Sequence, residues 1–228
     1  MAKKTEENEE LIVDVQEVYS KTETFIEDNK GLLSGIVAAI VIVVGGYLAY
    51  NKLYVGPMQQ EAAEAIFRAE QAFDNDSLEL AIYGSNEFAG FIEIADEYGA
   101  TKSGNLANYY LGLSFLKRGE FDNAIEALNQ FDGDDEILGT IALGAQGDAY
   151  LELNNHDKAA AYYEKAANRQ DNEFTSPLYL LKAGKTYELN SNFSDALATY
   201  KKIKNNWRKS PEAVEIDKFI ARVENAAK

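Results

Sequence analysis

The chain has 228 residues, with 22 Lys+Arg against 38 Asp+Glu and a formal net charge of −16. That length suits one or two modest domains, and 46% hydrophobic content is ample for a packed core. Such acidity argues against nucleic acid as a partner, because a basic face would be needed to neutralise phosphates. The absence of cysteine excludes disulfides, thiolate chemistry, a Cys zinc site and a lipid-modified N-terminal Cys.

The first thirty residues are acidic, with Lys3, Lys4, Lys21 and Lys30 against nine Asp and Glu. Within this leader Leu11, Val15, Val18, Thr22 and Phe25 recur at alternating four- and three-residue steps, which predicts an amphipathic helix over 11–28. Its polar face carries Asp14, Glu17, Glu23 and Glu27, a poor match for an anionic membrane surface. Such a helix either extends a membrane anchor or meets a cytoplasmic partner.

A run without charge follows, "GLLSGIVAAIVIVVGGYLAYN", between Lys30 and Lys52. Its length matches a hydrocarbon core of roughly 30 Å at ~1.5 Å rise per residue. A signal peptide would carry a short basic leader and a shorter apolar stretch, so residues 31–52 are expected to remain as a transmembrane helix. Lys21 and Lys30 lie close before the span, and only Lys52 lies close after it. That bias places the N-terminus in the cytoplasm and the large C-terminal part outside, which in a Gram-negative cell is the periplasm. Gly31, Gly35, Ala38, Gly45, Gly46 and Ala49 fall on roughly one face, where small residues let another helix approach closely in lipid. Ordinary Gly and Ala usage in a membrane helix is the alternative reading.

Beyond Pro57 the sequence repeats itself. "YYLGLSFLKRGEFDNAIEALNQF", "GAQGDAYLELNNHDKAAAYYEKA" and "LKAGKTYELNSNFSDALATYKKI" align on Gly112, Gly147 and Gly184. Each Gly is followed by an aromatic at plus three (Phe115, Tyr150, Tyr187), Ala at plus twelve (Ala124, Ala159, Ala196) and a large residue at plus sixteen (Leu128, Tyr163, Tyr200). The pattern resembles the tetratricopeptide repeat. Small residues belong where two antiparallel helices cross, and the large ones fill the gaps around that approach. Gly119, Asn154 and Ser191 are placed to turn the chain between the two helices of each repeat.

The resulting expectation is an all-α protein: one N-terminal transmembrane helix, then a right-handed helical solenoid over 57–228. Repeats fall near 105–133, 140–168 and 177–205, after a divergent first pair at 58–99. In that pair Asp76 or Ser77 caps a second helix running towards Tyr98, which Gly99 ends. A capping helix at 210–227 starts at Ser210-Pro211 and bears Val214, Ile216, Phe219, Ile220 and Val223.

Nothing in the sequence points to catalysis, a cofactor or a small-molecule substrate. "FDGDDEI" is dense in carboxylates, but Ile137 stands where a calcium loop starting at Asp132 would need Gly. His156 takes a position held by Phe in the sister repeats and reads as a packing or turn residue. Binding therefore falls to the concave surface lined by the first helix of each repeat. Its inward positions are Leu106, Tyr109, Leu113 and Leu116, then Ile141, Gly144, Asp148 and Leu151, then Leu178, Leu181, Lys185 and Leu189. The Lys/Asn/Arg clamp with which some such domains hold a C-terminal carboxylate is missing, and a mainly apolar groove suits an apolar or amphipathic peptide. Service in repeat–repeat packing is the competing role for the same residues. Charge is uneven too, with 7 basic and 23 acidic residues over Pro57–Glu173 but 10 basic and 6 acidic over Phe174–Lys228.

An acidic leader, a single anchor and an external repeat solenoid are together similar to the YfgM-type family. "FIEDNK", "GNLANYYLG" and "KAGKTYE" look like its Bacteroidetes-type versions. The resemblance implies an ancillary subunit of the Sec translocon in the inner membrane. It would work beside the channel and a membrane-anchored periplasmic chaperone of the prolyl-isomerase type, receiving nascent secretory chains. A structural adaptor of another envelope complex stays open, as does a mitochondrial import receptor with its repeats facing the cytosol.

Overall fold

The computed structural model describes residues 21–228, and most of the expected leader helix, residues 11–20, lies outside them. Two compact units are present, the first ending at Pro57 and the second running from Met58 to Lys228.

In the first unit residues 21–28 are helical and lead into α1 (Lys30–Tyr50). Its 21 residues correspond to about 31 Å of helix. No residue of α1 is buried, and by length and composition this helical run can cross a membrane. Asn51–Val55 then form a π-helical turn, closed by the Gly56 N–H donating to the Asn51 carbonyl. Tyr50 and Tyr54 stack across it with ring centroids 5.4 Å apart.

From Gly56 the chain runs into α2 (Gly56–Asp74), which carries it into the second unit and buries Ala62, Ile66, Ala69 and Ala72. The single second helix expected up to Tyr98 is instead interrupted. A short α3 (Leu78–Tyr83) gives way to a hairpin of β1 (Gly84–Ser85) and β2 (Phe88–Ala89), followed by α4 (Phe91–Glu97). Two glycines force the break. Gly84 sits at φ 73°, and a Cβ there would lie 2.4 Å from the Gly90 nitrogen, so the two backbones touch where any side chain would stand. Phe91, Ile82 and Ile94, all fully buried, make this irregular segment part of the core with Ala107 and Phe115.

Three helix pairs follow: α5 (Lys102–Arg118) with α6 (Phe121–Gln130), α7 (Glu136–Glu152) with α8 (His156–Arg169), and α9 (Thr175–Leu189) with α10 (Phe193–Asn206). Each helix packs on its sequence neighbour. Thr101 caps α5 by accepting from the Gly104 N–H at 3.0 Å, and Asp135 caps α7 through the N–H groups of Ile137 and Leu138.

Every pair turns the same way. Gly119, Asn154 and Ser191 adopt positive φ (78°, 58° and 57°), and the two N–H groups at each turn reach back to carbonyls three and five residues earlier. That is a Schellman motif, which satisfies the last carbonyls of the first helix. Asp76 repeats it after α2 at φ 57°, so Asp76 ends a helix and does not cap the next one. Ser77 precedes α3 without a side-chain cap.

The crossings inside the pairs follow the plus-sixteen spacing. A Cβ on Gly112 would fall 2.5 Å from Leu128, one on Gly147 2.6 Å from Tyr163, and one on Gly184 2.4 Å from Tyr200. At the C-terminal end Ser210 caps a 3₁₀ turn over Pro211–Ala213, and α11 begins only at Ile216 and runs to Ala226. Val214, expected within the capping helix, lies between the two and is 82% exposed. Ile216, Ile220 and Val223 are buried with Tyr200, Ile203 and Trp207. The protein is an all-α tetratricopeptide-repeat solenoid with, among the described residues, one candidate membrane helix.

Candidate peptide-binding groove

The residues expected to line a concave groove lie on α5, α7 and α9. Of its predicted lining, Leu106, Leu113, Leu116 and Ile141 are half-buried around a cluster of Tyr109, Leu128, Ala142 and Ala145. Tyr109 itself is 5% exposed, tilted against Phe131 at 5.3 Å, and serves as packing between α5 and α7. Gly144 is buried because Tyr179 of the next repeat occupies its face, 2.1 Å from where a Cβ would be. Leu151 and Leu181 are half-buried against the C-terminal core. Leu178 and Leu189 are the open apolar positions, and Lys185 is exposed with its Nζ 5.4 Å from the centre of the Phe219 ring.

Asp148 is committed to the scaffold. Its Oδ1 accepts from the Tyr163 hydroxyl at 2.5 Å, and both oxygens accept from Lys182 Nζ at 2.7 and 2.9 Å. The ammonium also stands 5.4 Å from the Tyr163 ring centroid and 5.8 Å from that of Tyr179. Burial first, then the bond to Asp148, pushes the Tyr163 hydroxyl well above its ordinary range, and burial pushes Tyr179 up to about 12.

One repeat later the same joint recurs with other residues. The Tyr200 hydroxyl donates to Glu188 Oε1 at 2.5 Å, and Arg222 holds both Glu188 oxygens at 2.7 and 2.8 Å. Burial pushes the Glu188 carboxyl up, but the bonds from Arg222 and Tyr200 and the nearby cations outweigh it and leave it lowered. Each carboxylate therefore ties a buried tyrosine of its own repeat to a cation thirty-four residues ahead. Sequence reading missed Lys182, Glu188 and Arg222. The only available signal was an acid-to-base spacing of one repeat length, which stands out only once the helices are stacked.

Two tetratricopeptide-repeat families match the chain, one over residues 106–132 and the other over 145–214. No curated protein matches it. Stacked helix pairs, glycine crossings and these matches together define a tetratricopeptide-repeat protein, a scaffold for binding other proteins.

Proposed function

We propose that the protein is a single-pass inner-membrane subunit ancillary to the Sec translocon. Its N-terminus is cytoplasmic and its repeat domain periplasmic, where it assists newly exported chains beside the channel and a membrane-anchored chaperone. One observation carries this reading: an apolar helix with no buried residue precedes a tetratricopeptide-repeat domain. Resemblance to the YfgM-type family supplies the choice of translocon. Gly31, Gly35, Gly45 and Gly46 have no other group within 4 Å of where a Cβ would stand. With Ala38 and Ala49 they form the face proposed to meet a helix of the channel or chaperone.

Gentle detergent extraction and identification of co-purifying proteins tests the proposal. Translocon subunits in the eluate are expected, and their absence would count decisively against it. Replacing Gly35 and Gly46 by Leu should weaken that co-purification while membrane insertion persists. Crosslinks from Leu178 or Leu189 to nascent secretory chains are expected; crosslinks to a single resident protein would make the chain a structural adaptor instead.

A further inference from the structure

The most exposed apolar side chains at the groove lie at its rim, where the inner helices begin. Ile137 is 66% exposed and Phe174 is 85% exposed, and both stand ten residues before their repeat glycine. One turn further on, Ile141 is half-buried and Leu178 is 39% exposed. The helices α7 and α9 run side by side, as the Gly144–Tyr179 and Asp148–Lys182 contacts show. These four side chains therefore form one strip across two repeats.

The strip is held in place. Asp135 Oδ1 accepts from the N–H groups of Ile137 and Leu138 at 2.9 and 2.8 Å. Asn172 Oδ1 accepts from those of Phe174 and Thr175, both at 2.8 Å, and the Ser176 hydroxyl shares its one proton between the Ala167 and Gln170 carbonyls, each 2.8 Å away. A rigid loop that presents an apolar ring to water gains nothing from it in folding.

The charge around the strip is mainly acidic. Asp134 and Glu136 precede Ile137, Asp171 and Glu173 precede Phe174, and none of the four joins a salt bridge among the described residues; the Arg169 guanidinium nearby is engaged by the Gly133 and Asp135 carbonyls. Next to Ile137 in sequence, Leu138 lines a cleft of about 730 Å³ with Leu106 and Phe131, where Asp132, Asp134 and Asp135 outnumber the single cation Lys102. Apolar knobs between uncompensated carboxylates complement a segment in which lysine or arginine alternates with apolar residues.

We propose that this rim docks a cationic amphipathic segment of a partner chain. Its apolar residues lie on Ile137, Ile141, Phe174 and Leu178, and its cations face Asp134, Glu136, Asp171 and Glu173. This rests on the reading of the domain as a receiver of exported chains and specifies the chemistry it selects.

The test uses the purified full chain in detergent micelles and needs no translocon, so it can fail independently of the co-purification above. A labelled helix-forming peptide of leucine and lysine is titrated by fluorescence anisotropy at low and high salt. Two controls accompany it: a lysine–serine peptide of equal charge and a leucine–glutamate peptide. Binding of the leucine–lysine peptide alone is expected, weakened by salt, and lowered about tenfold by Ile137→Ser with Phe174→Ser, given the apolar area these two side chains offer. Both side chains are exposed, so unfolding temperatures should stay unchanged and separate lost binding from lost fold. Equal binding by the double variant, or by either control peptide, would overturn the proposal. So would a wild-type dimer, seen by sedimentation, that Phe174→Ser converts to monomer, since a second copy would then be the occupant.

Discussion

Replacing Gly184 by Ala probes the crossing of α9 and α10 at its tightest point. The added Cβ would lie 2.4 Å from Tyr200 Cε1 and 2.9 Å from its Cδ1 and Cζ, inside any real carbon–carbon contact. Tyr200 is fully buried, and its hydroxyl is fixed to Glu188, which Arg222 grips from the other side, so the ring cannot swing away without breaking the joint to the cap. Overpacking of this kind costs about 1–3 kcal/mol, against a gain of about 0.5–1 kcal/mol for Ala over Gly inside a helix. The net is a loss of up to about 2.5 kcal/mol, centred on about 1 kcal/mol, which corresponds to a fall in Tm of about 2–4 °C for a domain of this size. Circular dichroism at 222 nm would report global unfolding, and the single Trp207, buried against the cap, would report its detachment. Gly45→Ala is the control, because no other group lies within 4 Å of its Cβ position, and it should leave the transition unmoved. A Tm for Gly184→Ala equal to or above that of the native chain would refute the steric reasoning.

The turn at Ser191 forces a side chain into the left-handed region at φ 57°, so Ser191→Gly should raise stability by about 0.5–1 kcal/mol in urea unfolding. The opposite change at Gly119 (φ 78°), Gly119→Ala, should lower it by about 1 kcal/mol. Glu188 is held below the ordinary carboxylate range, so the unfolded chain binds its proton first on acidification. Stability should therefore decline as pH falls below about 4.5, and Glu188→Gln, compared by urea midpoints across that window, should flatten this slope. Tyr163, Tyr179, Tyr187 and Tyr200 are all raised, chiefly by burial, so unfolded tyrosines ionise near pH 10 while the folded ones keep their protons. Stability should fall steeply as pH rises beyond that value, and a urea midpoint insensitive to pH between 9 and 11, roughly the range spanning the unfolded tyrosine pKa, would contradict the assignment.

The repeat core was legible because its constraint is local in sequence. A glycine and the bulky residue sixteen positions later meet within one helix pair, so the spacing of Gly147 and Tyr163 already encodes the contact. The hairpin at Gly84–Ala89 was not legible. Ser85, Asn86, Glu87 and Ala89 all tolerate a helix, and only the backbone contact between Gly84 and Gly90 rules one out. For the groove, periodicity marks which residues face inward but not how deeply the next repeat covers them. Leu178 and Tyr109 share that inward orientation, yet one stays open and the other is sealed by Phe131. The carboxylate joints were hidden for a related reason, since Lys182 and Arg222 matter only to the neighbouring repeat.

Those joints bear on how such an array changes length. Arg222 of α11 grips Glu188 as Lys182 of α9 grips Asp148, each from thirty-four residues downstream. The last helix is thus attached by a coupling of the same kind as the Asp148–Lys182 joint inside the array. A duplicated α9–α10 pair inserted ahead of α11 would present its own copies of Glu188 and Tyr200 to Arg222 unchanged. Growth or loss of whole repeats can then proceed without inventing a new terminus, which leaves the number of repeats, and so the length of segment a partner can lay along them, open to variation among descendants of the same gene.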